Sequence, residues 1–122
     1  MAQVIVSRRA AVDLTEIESY SVRQWGKKAA AEYLDGIEQA LSLLQKNPDI
    51  LTHREDISLY FYFYRVRRHF LVFDVTGDIL HLLTVKHGSM DLPERLAEIE
   101  PYLRHEIAYL HEKLAEKHPG ND

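Results

Sequence analysis

Three arginines in "RVRR" (Arg65, Arg67, Arg68) and a histidine closing a later apolar run, His87, are the side chains of this sequence best suited to chemistry. Guanidinium groups hold phosphate charge and an imidazole passes protons near neutral pH, so together they are the parts that phosphodiester cleavage requires. Each also has a plain structural use. Arginines in a short connection form a solvated hairpin tip, and a histidine just past a strand bonds to nearby backbone or carboxylate; the sequence favours these readings. In "TVKHGSMDLPERL", Thr84 to Leu96, Lys86 points away from Val85 and should meet solvent, its charge open to an acidic partner. Met90 and Asp91 lie with His87 at the joint between a strand and a helix. Asp91 is expected to be a helix N-cap or the partner of an arginine. The joint therefore reads first as a shaped turn.

Other constellations carry less. His105, His111 and His118 follow one another at steps of six and seven, whereas a helical metal pair needs a step of four, so no metal site and no cofactor are expected. Trp25 is expected as a buried lid on the core. In the run Tyr60 to Tyr64, alternate side chains face opposite ways; Tyr60, Tyr62 and Tyr64 are the candidates for an exposed set that a partner would touch. Zero cysteines exclude disulfides, thiolate nucleophiles and cysteine-based zinc sites. No glycine-rich phosphate loop or Ser-His-Asp order stands out.

The elements that must position these residues follow from hydrophobic period. "AQVIVS" alternates, and Gln3 to Val6 reads as a short strand. From Arg9 the period becomes helical through Ala10, Leu14, Ile17 and Tyr20 until Gly26; a second helical stripe, Ala30 to Leu44, ends at Asn47-Pro48. The two form a helical hairpin. Asp49 to Ser58 has no period and is expected to be loop. "LYFYFYRV", "HFLVFDV" and "DILHLLTV", joined by "RR" and "TGD", predict a three-stranded antiparallel meander over Leu59 to Val85. Their near-continuous apolarity requires at least one strand covered on both faces. The hairpin covers one face, giving a two-layer α+β domain. Beyond Asp91, Leu92, Leu96 and Ile99 form one helical stripe, and Leu103, Ile107, Leu110 and Leu114 another, with a new start or kink expected at Pro101. "HPGND" is expected as a frayed polar tail.

With 122 residues and 46% hydrophobic content, the chain is sized for one core. The formal charge of −4 is uneven: −2 over residues 1–59, +1 over 60–91 and −3 over 92–122. The middle segment is the place for an acidic partner, while the acidic total argues against indiscriminate nucleic-acid coating. No stretch approaches the roughly 20 apolar residues of a membrane span, so a cytoplasmic protein without membrane contact is expected.

The order of elements, with "AAVDLTEIESYSVRQWG", "YLDGIEQALSLLQKNPDI" and "HFLVFDVTGDILHLLTVKHGSMDL", resembles the RelE/ParE superfamily of toxins from bacterial type II toxin–antitoxin pairs, on the ParE branch, across residues 3–96. The resemblance implies a toxin domain over residues 1–100, with 101–122 as a helical extension and not a separate domain. It implies a cognate antitoxin whose extended segment wraps the toxin, and DNA gyrase as the target. The RelE branch instead implies a ribosome-dependent mRNA endoribonuclease, metal-independent, for which Arg65, Arg67 and His87 would be the catalytic candidates. A third reading is a non-toxic interaction module. The strand position that carries a key arginine in RelE-like members corresponds here to Phe70, which favours a binder over an enzyme. A partner surface is expected at Tyr60, Tyr62, Tyr64, Arg65, Arg67, Arg68, Lys86, His87, Met90 and Asp91. The seam Leu103, Ile107, Leu110 and Leu114 is expected either to pair with a second copy as a homodimer or to fold back over the sheet.

Overall fold

The structure, a computed structural model, describes residues 2–117, with the side chains of Leu114, Glu116 and Lys117 outside the description. The expected tail "HPGND" and His118 also lie outside it. The chain runs β1 (Gln3–Val6), α1 (Arg8–Trp25), α2 (Lys27–Lys46), a 3-10 turn (Pro48–Ile50), β2 (Thr52–Arg54), β3 (Ser58–Val66), β4 (His69–Thr76), β5 (Ile79–His87) and α3 (Leu92–Lys117). The strands form one five-stranded sheet in the order β1-β5-β4-β3-β2. Among the described residues β1 alone pairs in parallel, with β5; the other pairings are antiparallel.

Local chemistry explains the helix ends. Ser7 caps α1: its Oγ accepts from Ala10 N at 3.1 Å and donates to the Leu83 carbonyl at 2.9 Å, tying the helix start to β5. Gly26 stands alone between α1 and α2 with φ at +91°, a conformation that costs a side-chain-bearing residue dearly, and this permits the reversal.

Each face of the sheet has its own core. On one, Ala10, Ile37, Ala40 and Leu44 of the helical hairpin pack on Leu71, Phe73, Leu80, Leu82 and Val85. On the other, Phe61, Phe63, Phe70, Val72 and Leu83 lie under Leu92, Leu96 and Leu103 of α3. The α+β class and the meander follow the sequence pattern, and α3 adds a further layer over the second face. The strand alternation that sends Phe61 and Phe63 one way sends Tyr62 and Tyr64 the other.

Three expectations are corrected. The loop predicted over 49–58 contains the 3-10 turn and β2, which exists by pairing with β3 through Thr52↔Phe63 and His53↔Tyr62. Pro101 neither starts nor breaks a helix: α3 is continuous through it. Proline removes one backbone bond, but Leu96 and Leu103 on either side are buried in the same core and hold the two halves in register. Trp25 is no lid on the core; at the last position of α1 it is 56% exposed and meets the Tyr20 ring edge to face, at 5.9 Å between ring centres.

Candidate functional site

The end of β5 and the start of β4 are cross-strand neighbours, which pairs His69 with His87. Their rings meet edge to face at 5.4 Å. From α2, the Tyr33 hydroxyl reaches His69 Nδ1 at 2.5 Å. Burial, and then the nearby His87, push the His69 pKa down to about 4, so this imidazole is neutral at pH 7 and shares a hydrogen bond with the tyrosine hydroxyl. These groups line a cleft of about 340 Å³ between the helical hairpin and the end of β5, with Arg68 and Lys86 as its cations and Asp13 and Glu16 as its acids. Asp13 also anchors the wall: its Oδ2 accepts from Thr84 Oγ1 at 2.5 Å and from Val85 N at 3.0 Å.

The predicted arginine group is divided. Arg65 donates through Nε to the Arg67 carbonyl at 2.8 Å and lies over the Phe70 ring at 5.5 Å; Arg54, at 5.6 Å, also lies over that ring. Arg67, at a positive φ of 53°, lies instead over the Tyr33 ring at 5.4 Å. Phe70 belongs to the core beneath α3 and Tyr33 packs on the core of the hairpin face, so Arg65 and Arg67 serve opposite sides of the sheet. Only Arg68 reaches the cleft with His87 and Lys86. Lys86 is half-buried, less open than expected, because the cleft wall shelters it.

At the strand-to-helix joint, Asp91 precedes α3 and is held by the Ser89 hydroxyl and by Arg95 Nε at 2.6 Å, which keep its carboxyl below the usual range. This is the arginine pairing expected for it. Met90 is fully exposed. Of Tyr60, Tyr62 and Tyr64 only Tyr60 is exposed, with Arg104 over its ring at 4.9 Å. Tyr62 and Tyr64 are half-buried against the hairpin core, a correction to the expected exposed set. In the C-terminal seam, Leu103 is fully buried under the sheet face and Ile107 packs beside it. Leu110 lines a second groove, of about 610 Å³, between α1 and α3, and Leu114 lies outside the described side chains. Arg9 donates to Glu106 Oε2 across that groove at 3.0 and 3.1 Å.

Sequence reasoning missed His69 and Tyr33. The one signal was the position of His69 directly after the turn, which by hairpin register sets it opposite the end of the next strand. It also missed a second cluster, Asp74 with His81 and His111, drawn from β4, β5 and α3.

A family model described as the ParE toxin of the type II toxin-antitoxin system, parDE, matches residues 4–92. Among solved structures, the chromosomal ParDE TA system from P. aeruginosa is similar in fold, with a TM-score of 0.64 and 20% sequence identity over 73% of this chain and 98% of that chain. No curated protein matches the sequence. Among the described residues no helix is long and apolar enough to cross a membrane.

Proposed function

We propose that this chain, which belongs to the ParE toxin family of type II toxin–antitoxin systems, arrests growth by gripping DNA gyrase and not by breaking a bond. Membership implies a cognate antitoxin partner. The observation that carries the reading is the state of the sheet face bearing Phe70. Phosphodiester cleavage there needs cations beside the developing phosphorane charge. Phe70 is instead 5% exposed, edge to face with Phe63 at 6.2 Å, in an apolar core roofed by α3. Arg54 and Arg65 lie over the ring, but Arg54 is paired with Asp56 and Arg65 donates to the Arg67 carbonyl.

Neutralisation follows the same logic. The groove between α1 and α3 exposes Val12 at 51% and Tyr109 at 50%, an apolar track that suits the extended segment of an antitoxin. A gyrase target makes the site of action cytoplasmic. Leu103 and Ile107 are occupied by the chain's own sheet, which supports fold-back over a homodimer seam.

One observation favours a second reading, a ribosome-dependent endoribonuclease: His69, His87 and Tyr33 share a cleft with Arg68 and Lys86. A parallel assay separates the two. Purified chain is added to a gyrase supercoiling reaction and to ribosomes programmed with message. The expected result is loss of supercoiling with intact message. Message fragments that disappear in His87→Ala, with supercoiling untouched, would replace this reading with the nuclease.

A further inference from the structure

Where the hairpin of β4 and β5 meets α3, three ligand-type side chains converge from three elements. Asp74 and His81 are cross-strand partners, and His111 comes from α3. Asp74 Oδ2 lies 3.4 Å from His81 Nδ1 and 3.3 Å from His111 Nε2. One ligand atom from each residue lies within 4.8 Å of the others. Thr76 Oγ1 completes the set, 3.0 Å from Asp74 Oδ2 and 2.8 Å from His111 Nε2.

The two carboxylate–imidazole distances are long for charge-assisted hydrogen bonds, which run about 2.7–2.9 Å. They match the edge of a tetrahedron with bonds of 2.0–2.1 Å, about 3.3–3.4 Å, the geometry of zinc with nitrogen and oxygen ligands. His81 supplies an independent sign. Its side chain is fully buried, and its Nδ1 meets Asp74 at only 3.4 Å. A buried nitrogen held only by so long a contact is costly, and a metal–nitrogen bond at Nδ1 would replace that contact. We propose that Asp74, His81 and His111 bind one divalent transition-metal cation of the zinc type, which pins the rear of α3 to the β4–β5 hairpin. Two imidazoles and one carboxylate select zinc-like ions over magnesium or calcium, which prefer all-oxygen sets. A fourth position is left for water beside Thr76. His111 lies beyond residues 4–92, so the site joins the extension to the family fold.

The full-length chain, treated with chelator and dialysed, is titrated with Zn²⁺ by calorimetry and with Co²⁺ by visible absorption. One equivalent is expected to bind, with the intense visible bands of tetrahedral Co²⁺. His111→Ala and Asp74→Asn should each weaken binding by at least about tenfold, the low end of what even a supporting group contributes. His105→Ala, on the same helix outside the cluster, should leave it unchanged. Circular dichroism of each variant separates loss of the site from loss of the fold. Absence of stoichiometric binding would establish a network held by protons alone, and binding undiminished in folded His111→Ala would mark adventitious surface imidazoles; either overturns the proposal.

Discussion

A single proton on His69 has consequences for the whole chain. The ring titrates near 6.5 when unfolded but at about 4 when folded, so between those values the unfolded state holds the extra proton. Stability should therefore fall as pH drops through that window, by on the order of 1–2 kcal/mol once the partial exposure of the ring is discounted. Urea unfolding at pH 7.5 and pH 5 measures it, and His69→Gln should flatten the difference; an unchanged difference would place its origin in other groups. Gly88 makes a second prediction, from space alone. A Cβ there would lie 2.9 Å from Phe70 Cε2, against a ring already wedged in its core. Gly88→Ala should cost about 1–3 kcal/mol in the same assay, as overpacking does. Residue types made Arg65, Arg67, Arg68 and His87 legible as candidates. Which of them meet was not legible, because the two-residue turn sends neighbouring side chains to opposite faces and Tyr33 comes from α2, far off in sequence.

Helices and strands were easier to read than sites because their signal is periodic. β3, β4 and β5 are so rich in aromatic and branched residues that their existence and order follow directly, and their near-continuous apolarity required cover on both faces of at least one of them. β2 was illegible for a physical reason. "THR" carries no apolar alternation and is exposed throughout; it becomes a strand because the open edge of β3 accepts it, with the His53 ring tilted against Tyr62 at 4.1 Å. Pro101 misled in the opposite direction, since a local breaker was overruled by packing. Leu103 is the residue that does this most directly, being fully buried against Phe61 and Phe63 one turn or less beyond the proline. Leu103→Ala should remove about 2–5 kcal/mol, within the range for emptying a core site, and should loosen the helix on the far side of Pro101 first. Hydrogen exchange of the amides after residue 101 would show this; protection equal to wild type would mean that α3 holds itself together.

At the scale of the molecule, a sheet with an apolar core on each face must be covered twice, and the second cover extends beyond the region that the family model matches. Leu92 ends that region and Leu96 lies just past it, but Leu103 and Ile107 lie well beyond, so removal of residues 101–122 uncovers the ground between Phe61, Phe63 and Leu83. Two losses compete for importance in such a shortened chain. The Arg9–Glu106 pair is partly exposed, at 33% and 29%, and is worth about 0.2–1 kcal/mol. A buried leucine and its neighbouring isoleucine are worth about 1.5–3 kcal/mol each when fully buried, so apolar burial dominates. The shortened chain should melt several degrees lower and self-associate through its bared face, because a contiguous apolar patch seeks another surface. Light scattering after size exclusion, with melting curves at two salt concentrations, distinguishes the causes: salt weakens an ion pair and leaves apolar association intact or stronger. A shortened chain that stays monomeric and melts with the full-length protein would show that the family domain closes its second face without the rear of α3.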